Sequence, residues 1–382
     1  MYEKKILLSL FLLFFLTNCK SPEPSAETKI YTPGKKAKNI ILMIGDGMGL
    51  AQITAAMYTN KNRIALEQFP YIGFHKQHSY NDLITDSAAG ATAFACGVKT
   101  YNNAIGVSPD TVAVESILEE AKLQGKATGV VVTSIIVHAT PASFYAHQPL
   151  RVFYEDIALD LMDEEVDFVV GGGKAYFNQR KNDNRNLYFE LTEKGYQTYS
   201  FDEKTMNGIT INPSQNFIYF TSNYQPPEIE SGRNYLPYAS LLGADFLSKH
   251  SEEGFFLLVE GSQIDWRGHS NEGKRMIKET LDFNNAIKRV LDFASRRDDT
   301  LVIVTADHET GGMAIQPGSK MRKIETAFTT NNHTGTLVPV FAFGPSAELF
   351  AGIYDNTEIY KKMREAYGFD DAVAKNIDNT AK

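Results

Sequence analysis

The sequence predicts an α/β fold, a three-layer sandwich in which a mainly parallel central sheet carries helices on both faces. Three observations predict it. Short β-branched or aliphatic runs alternate with longer amphipathic stretches, the pattern of repeated βαβ units. Side chains of metal-binding and catalytic types fall just after those runs, where an open parallel sheet places its ligand site. The composition, 43% hydrophobic and 22% charged over 382 residues, can supply a large buried core and excludes a disordered chain.

The chain opens with Lys4 and Lys5, an apolar run from Ile6 to Leu16, and then Leu16-Thr17-Asn18-Cys19. That run is well short of the ~20 residues that span a bilayer, so 1–19 reads as an export signal and not as a membrane helix. Its end resembles a bacterial lipobox, with Cys19 becoming a lipid anchor in the periplasm, outer membrane or cell surface; an ordinary cleaved signal is the alternative. If Cys19 is acylated, Cys96 is left as a free, buried thiol. Residues 20–38, with Pro22, Pro24, Pro33 and Gly34, read as a flexible tether. A folded domain is expected over 39–370, followed by a tail over 371–382.

Within that domain, strands are expected at 40–44, 129–133, 168–170, 255–259, 301–305 and 338–343, and helices at 113–124, 236–250 and 272–297. In the last helix Met276, Ile277, Thr280, Phe283, Ile287, Val290 and Ala294 recur at three- and four-residue steps, so one face packs on the sheet. Residues 171–237 are rich in Asn, Tyr, Ser and charge and read as an insertion or sheet edge with weak strands. No internal repeat is visible. The net charge of −8 excludes a general nucleic-acid binder. Two cysteines exclude a disulfide scaffold or a Cys-built zinc module, so any metal site must use His, Asp and Glu.

Asp46 follows the first run, His138 and Thr140 the second, Glu260 the fourth, and Asp307 and His308 the fifth. Alone, each strand-end carboxylate is a turn residue or helix cap, and His333 in the polar run 329–335 is a loop histidine. Four runs delivering such groups to one sheet edge make coincidence a poor account of the set. Asp265 and His269, four apart, share a face on a helical turn, which suits a metal or a simple hydrogen-bonded pair. In Thr85-Asp86-Ser87-Ala88-Ala89-Gly90-Ala91-Thr92-Ala93, small residues permit a tight turn into a helix. Ser87 then sits at a helix N-terminus, where free N–H groups attract anions, although Asp86 or Ser87 could simply cap that helix.

These segments resemble the alkaline phosphatases over nearly the whole mature chain and in the family's order. They include Ile44-Gly45-Asp46-Gly47-Met48-Gly49, the Ser87 segment, His138-Ala139-Thr140-Pro141-Ala142, Val259-Glu260-Gly261-Ser262-Gln263-Ile264-Asp265, Thr305-Ala306-Asp307-His308-Glu309-Thr310-Gly311-Gly312 and His333-Thr334-Gly335-Thr336. The resemblance implies one zinc ion on Asp46, Asp307 and His308, a second on Asp265, His269 and His333, and magnesium by Asp46, Thr140 and Glu260. It implies that Ser87 is the nucleophile and that Arg151 grips the substrate phosphate. The reaction implied is hydrolysis of small phosphate monoesters through a phosphoserine, and a homodimer is left open.

Two positions depart from the enterobacterial form, which has aspartate where His138 stands and lysine where Trp266 stands. The His and Trp combination is similar to secreted enzymes of marine and cold-living bacteria and places both side chains beside the substrate phosphate. Only 20 residues separate Gly312 from His333, fewer than the family's usual insertion, which implies a reduced crown over 313–332 and a more open pocket. The alternatives are a phosphodiesterase, mutase or sulfatase of the same architecture, and a non-catalytic lipoprotein that captures phosphate or zinc. Arg151 points to a monoester, and no Cys-x-Pro-x-Arg segment of the sulfatase type is present.

Overall fold

The computed structural model describes residues 34–370; the signal segment, Cys19, all but the end of the tether, and the 371–382 tail lie outside the described residues. The strands are β1 (Asn39–Ile44), β2 (Tyr71–Lys76), β3 (Ala127–Ile135), β4 (Phe168–Gly172), β5 (Gln197–Ser200), β6 (Phe217–Phe220), β7 (Phe255–Glu260), β8 (Thr300–Thr305), β9 (Glu309–Thr310), β10 (Ala314–Ile315), β11 (Thr326–Ala327), β12 (His333–Thr334), β13 (Val338–Phe343) and β14 (Gly352–Asp355). The α-helices are α1 (Leu50–Thr59), α2 (Ser87–Cys96), α3 (Ile117–Leu123), α4 (Ala139–Ala142), α5 (Tyr154–Glu164), α6 (Ala175–Asn178), α7 (Leu187–Glu193), α8 (Leu236–His250), α9 (Gln263–His269), α10 (Gly273–Ala294) and α11 (Glu358–Tyr367).

Ten strands form one sheet in the order β14-β2-β13-β8-β1-β7-β3-β4-β6-β5. Every neighbouring pair is parallel except the two that involve β13, which runs against both β2 and β8. The central strands β1, β3, β7 and β8 are buried along their whole length, as near-continuous apolar runs in parallel sheets should be. Alternation then sends Ile40, Leu42 and Ile44 to one face, with α2, α3, α5 and α11, and Ile41 and Met43 to the other, with α1, α8 and α10. Two cores separated by one sheet make the three layers. On α10 all seven residues of the expected stripe are buried.

Some elements differ in extent from the sequence expectation. The helix over 113–124 begins only at Ile117, because Ser116 and Glu119 form a capping box there, while Ala113 bridges Val107. The helix over 272–297 stops at Ala294. The 171–237 stretch supplies β5 and β6, which complete one side of the main sheet. These strands have four residues each, too short for period-two patterning to stand out. Residues 313–332 contain the small β10/β11 pair and an isolated bridge between Lys320 and Lys323. Among the described residues no helix is long and apolar enough to cross a membrane.

Candidate active site

Strand order assembles the site. β8, β1, β7 and β3 are consecutive and parallel, so their carboxyl ends share one edge, and Ile44 lies level with both Glu260 and Thr305. That register puts Asp46, Glu260, Asp307 and His308 at one height, and the turn after β3 brings His138 to Asp46 and Glu260. His333 precedes β13, and because β13 is antiparallel to β8 its amino end meets the same edge. β2 runs antiparallel to β13 and so parallel to β8, which brings Ser87, after β2, to that edge as well.

Three groups of ligand-type atoms result, each with its atoms within 4.8 Å of one another: Asp46, Asp307 and His308; Asp265, His269 and His333; and Asp46, His138 and Glu260. His308 Nε2 lies 3.5 Å from Asp46 Oδ1 and 3.2 Å from Asp307 Oδ2. His269 Nε2 and His333 Nε2 lie 3.3 and 3.5 Å from the two oxygens of Asp265 and 3.1 Å from each other. The stacked rings of His308 and His333, with centroids 3.5 Å apart, join two of the groups. The helical face expected for Asp265 and His269 is provided by α9.

The other nitrogen of each second-group histidine is engaged by backbone. His269 Nδ1 faces Asn331 O at 2.6 Å and His333 Nδ1 faces Thr85 O at 2.8 Å. A carbonyl only accepts, so each Nδ1 carries a proton, and each Nε2 is turned toward Asp265, where a cation can take the place of its proton; this is the orientation a metal-binding histidine needs. Thr310 braces both groups, donating to Asp265 Oδ1 and lying 3.2 Å from His308 Nδ1. Gly47, at φ +72°, sits where a Cβ would come within 2.9 Å of Asp265 Cα. A side chain there would push the β1–α1 loop off α9.

The electrostatics call for cations. Burial first, and then Asp307, Asp265 and Glu260, push the Asp46 carboxyl well above its usual range. Burial lifts Glu260 to about 7, although Ser262 and Ser134 donate to its Oε2 at 2.6 and 3.3 Å. Asp265, despite its burial, is held below the usual range by the His269 hydrogen bond and the nearby His308 and His333. Both Asp46 carboxyl oxygens, Asp307 Oδ2, Glu260 Oε1, Thr140 Oγ1 and His138 Nδ1 are buried with no hydrogen-bond partner among the described residues. Buried polar atoms are rarely left so, and hard or borderline divalent cations satisfy such donor sets.

Ser87 is the first residue of α2, with Asp86 as N-cap accepting from Ala89 N at 3.0 Å. The capping reading therefore holds for Asp86, and Ser87, at the helix N-terminus, has its Oγ 3.4 Å from His308 Nε2. The small residues serve close packing, since a Cβ on Gly90 would lie 3.2 Å from Asp307 Cβ. Arg151 Nη1 donates to Asp86 Oδ2 at 2.9 Å, and Asn103 N donates to the same oxygen at 3.0 Å. His138 packs edge-on to Trp266 at 6.0 Å, and burial and then Arg151 push its ring down to about 3, so it is neutral.

The sequence reading missed the pairing of Asp86 with Arg151 and the bracing roles of Thr310 and Glu309. Buried Glu309 accepts from Gln52, Thr334 and the backbone N of Gly312 and Met313, tying α1 and β12 to the His308 segment. The hint was the place of Asp86, Glu309 and Thr310 inside the motifs, next to Ser87 and His308.

An alkaline phosphatase family model matches residues 37–328 and 318–369. The chain is 34% identical to alkaline phosphatase 3 of Bacillus subtilis, over 96% of this chain and 97% of that one. It is 31% identical to the alkaline phosphatase of Escherichia coli, over 87% of each. The alkaline phosphatase of the Antarctic bacterium TAB5 superposes with a TM-score of 0.81 at 43% identity, covering 88% of this chain and 99% of that one. A histidine-to-aspartate variant of the TAB5 enzyme holds Mg in its M3 site. With a ten-stranded sheet of matching fold and full-length relatives of one kind, the chain belongs to the alkaline phosphatase family and is a phosphomonoester hydrolase.

Proposed function

We propose that the site hydrolyses phosphate monoesters in two in-line displacements through a phosphoserine on Ser87, with two zinc ions and one magnesium ion as cofactors. The observation that carries this reading is Ser87 Oγ at a helix N-terminus, 3.4 Å from His308 Nε2. Asp46, Asp307 and His308 would hold one zinc, Asp265, His269 and His333 the other, and Asp46, Glu260 and Thr140, with His138 beside them, the magnesium. When bound, such cations lower the proton affinity of a serine hydroxyl or a water and neutralise charge on the leaving oxygen.

The protein's own groups do the rest. Arg151, held by Asp86, presents its planar fork to two non-bridging oxygens of the phosphoryl group. Ser87 Oγ attacks phosphorus, its O–P bond forms as the ester P–O bond breaks, and the alcohol leaves. Water then displaces Ser87 and releases inorganic phosphate. His138 and Trp266 line the phosphate's surroundings without adding charge. The leader and Cys19 support an exported, lipid-anchored enzyme, which labelling with a fatty acid tests.

The test of the catalytic reading is Ser87→Ala, with turnover and zinc content measured together. Turnover falls by several orders of magnitude while zinc stays near that of the parent, and acid quenching traps labelled phosphoserine only in the parent. Equal loss of metal and activity would make Ser87 a structural residue. Comparing a mono- with a bis-nitrophenyl phosphate separates a monoesterase from a diesterase.

A further inference from the structure

The catalytic edge does not end at β3. Beyond it the sheet continues through β4 and β6, and the loops after these strands carry a row of tyrosines. Tyr154 opens α5, three residues beyond Arg151. Tyr176 follows β4 on α6, and Tyr224 follows β6. Ring centroids step 5.1 Å from Tyr154 to Tyr176 and 6.0 Å from Tyr176 to Tyr224. The row grades from half-buried at Tyr154 and Tyr176 to 56% exposed at Tyr224.

The backbone under these rings is held without their hydroxyls. Gly173 N donates to Tyr224 O at 3.1 Å and Ala175 N to Asn223 O at 2.9 Å, which locks the Tyr224 loop to α6. Arg180, paired with Asp183, donates to the carbonyls of Glu155 and Tyr176, which locks α6 to α5. The three phenol hydroxyls have no hydrogen-bond partner among the described residues. Aromatic rings and spare donor-acceptor hydroxyls thus stand on a braced platform that begins three residues beyond Arg151.

We propose that Tyr154, Tyr176 and Tyr224 form a leaving-group subsite that receives the nucleoside of nucleoside monophosphates. An aromatic ring offers any base a face to stack on, and phenol hydroxyls can pair with sugar hydroxyls. The inference rests on the reading of Arg151 as the phosphate grip. A leaving group attached to that phosphate is then the part of the substrate that can extend along the sheet edge.

The experiment compares kcat/KM for adenosine 5′-monophosphate and for glycerol phosphate in the metal-loaded parent, Tyr224→Ala, Tyr176→Phe and the double variant. The ratio of the two values falls about tenfold or more in the double variant, and inhibition by free adenosine weakens with it. A ratio within twofold of the parent overturns the proposal. So does an equal fall for both substrates accompanied by weaker inhibition by inorganic phosphate, because the tyrosines then act through Arg151. The same two substrates are run on Ser87→Ala. Full turnover there would sink the catalytic reading, whereas the tyrosine ratio still decides the subsite.

Discussion

Replacing Glu260 by glutamine should change the protein's stability in opposite directions with and without divalent cations. Glu260 is fully buried at the end of β7, and burial raises its carboxyl from 4.5 to about 7. A folded-state pKa above the unfolded value means that the native state keeps its proton longer. Stability contributed by that proton is complete below 4.5 and is lost as pH rises through 7. At about 1.4 kcal/mol per pH unit, the ionised group costs the metal-free protein about 3 kcal/mol at pH 8. Glutamine removes the charge yet can accept from Ser262 and Ser134 as Glu260 does, and its amide can donate toward the unpartnered oxygens of Asp46. Chelated Glu260→Gln should therefore be more stable than the chelated parent at pH 8 by up to about 3 kcal/mol, on the order of 5 °C in Tm. The gain should shrink to almost nothing near pH 4.5. With magnesium the order reverses, because the parent supplies a charged oxygen to the cation and glutamine does not. Urea titrations in chelator and in magnesium, at both pH values, measure this. A chelated variant less stable than the parent at pH 8, or a difference that ignores pH, would refute the account of Glu260 as a buried charge awaiting a cation.

Chelation of the parent should abolish phosphatase activity and lower Tm together, since each ion held at a thousandfold above its Kd adds about 4 kcal/mol to the native state; melting that is unchanged after verified metal removal counts against the site. His138→Asp should lower the magnesium concentration for half-activation by at least an order of magnitude, as a carboxylate oxygen suits a hard cation better than imidazole. Identical half-activation after dialysis would remove His138 from that site. Asp86→Asn should keep the α2 cap but release Arg151, weakening inhibition by inorganic phosphate severalfold with little change in stability. Asp86→Ala should in addition lose about 1 kcal/mol in urea unfolding; phosphate inhibition unaltered in both would mean that Arg151 needs no partner to hold its place.

Much of the site could be read from the residues because its signals are local. Strand propensity and burial produce the apolar runs of β1, β3, β7 and β8, and the residue that ends each run lies at a sheet edge whatever the strand's neighbours. The four-residue step from Asp265 to His269 fixes a shared face as soon as the segment is helical. The motifs of the Ser87 and Asp307 segments carried the family.

What the tertiary structure alone decided is lateral. That β8, β1, β7 and β3 are consecutive follows from packing between segments hundreds of residues apart in sequence, and no periodicity encodes which strand lies beside which. The reversal of β13 brings His333 to the edge, and strand direction is set by the connections and the two cores, not by the residues 338–343 themselves. Asp86 meets Arg151 across 65 positions, Thr310 bridges two histidine groups, and the row from Tyr154 to Tyr224 exists only because β4 and β6 follow β3 in space. Local sequence sets backbone state and the face a side chain occupies; long-range burial of both sheet faces decides which of those side chains meet.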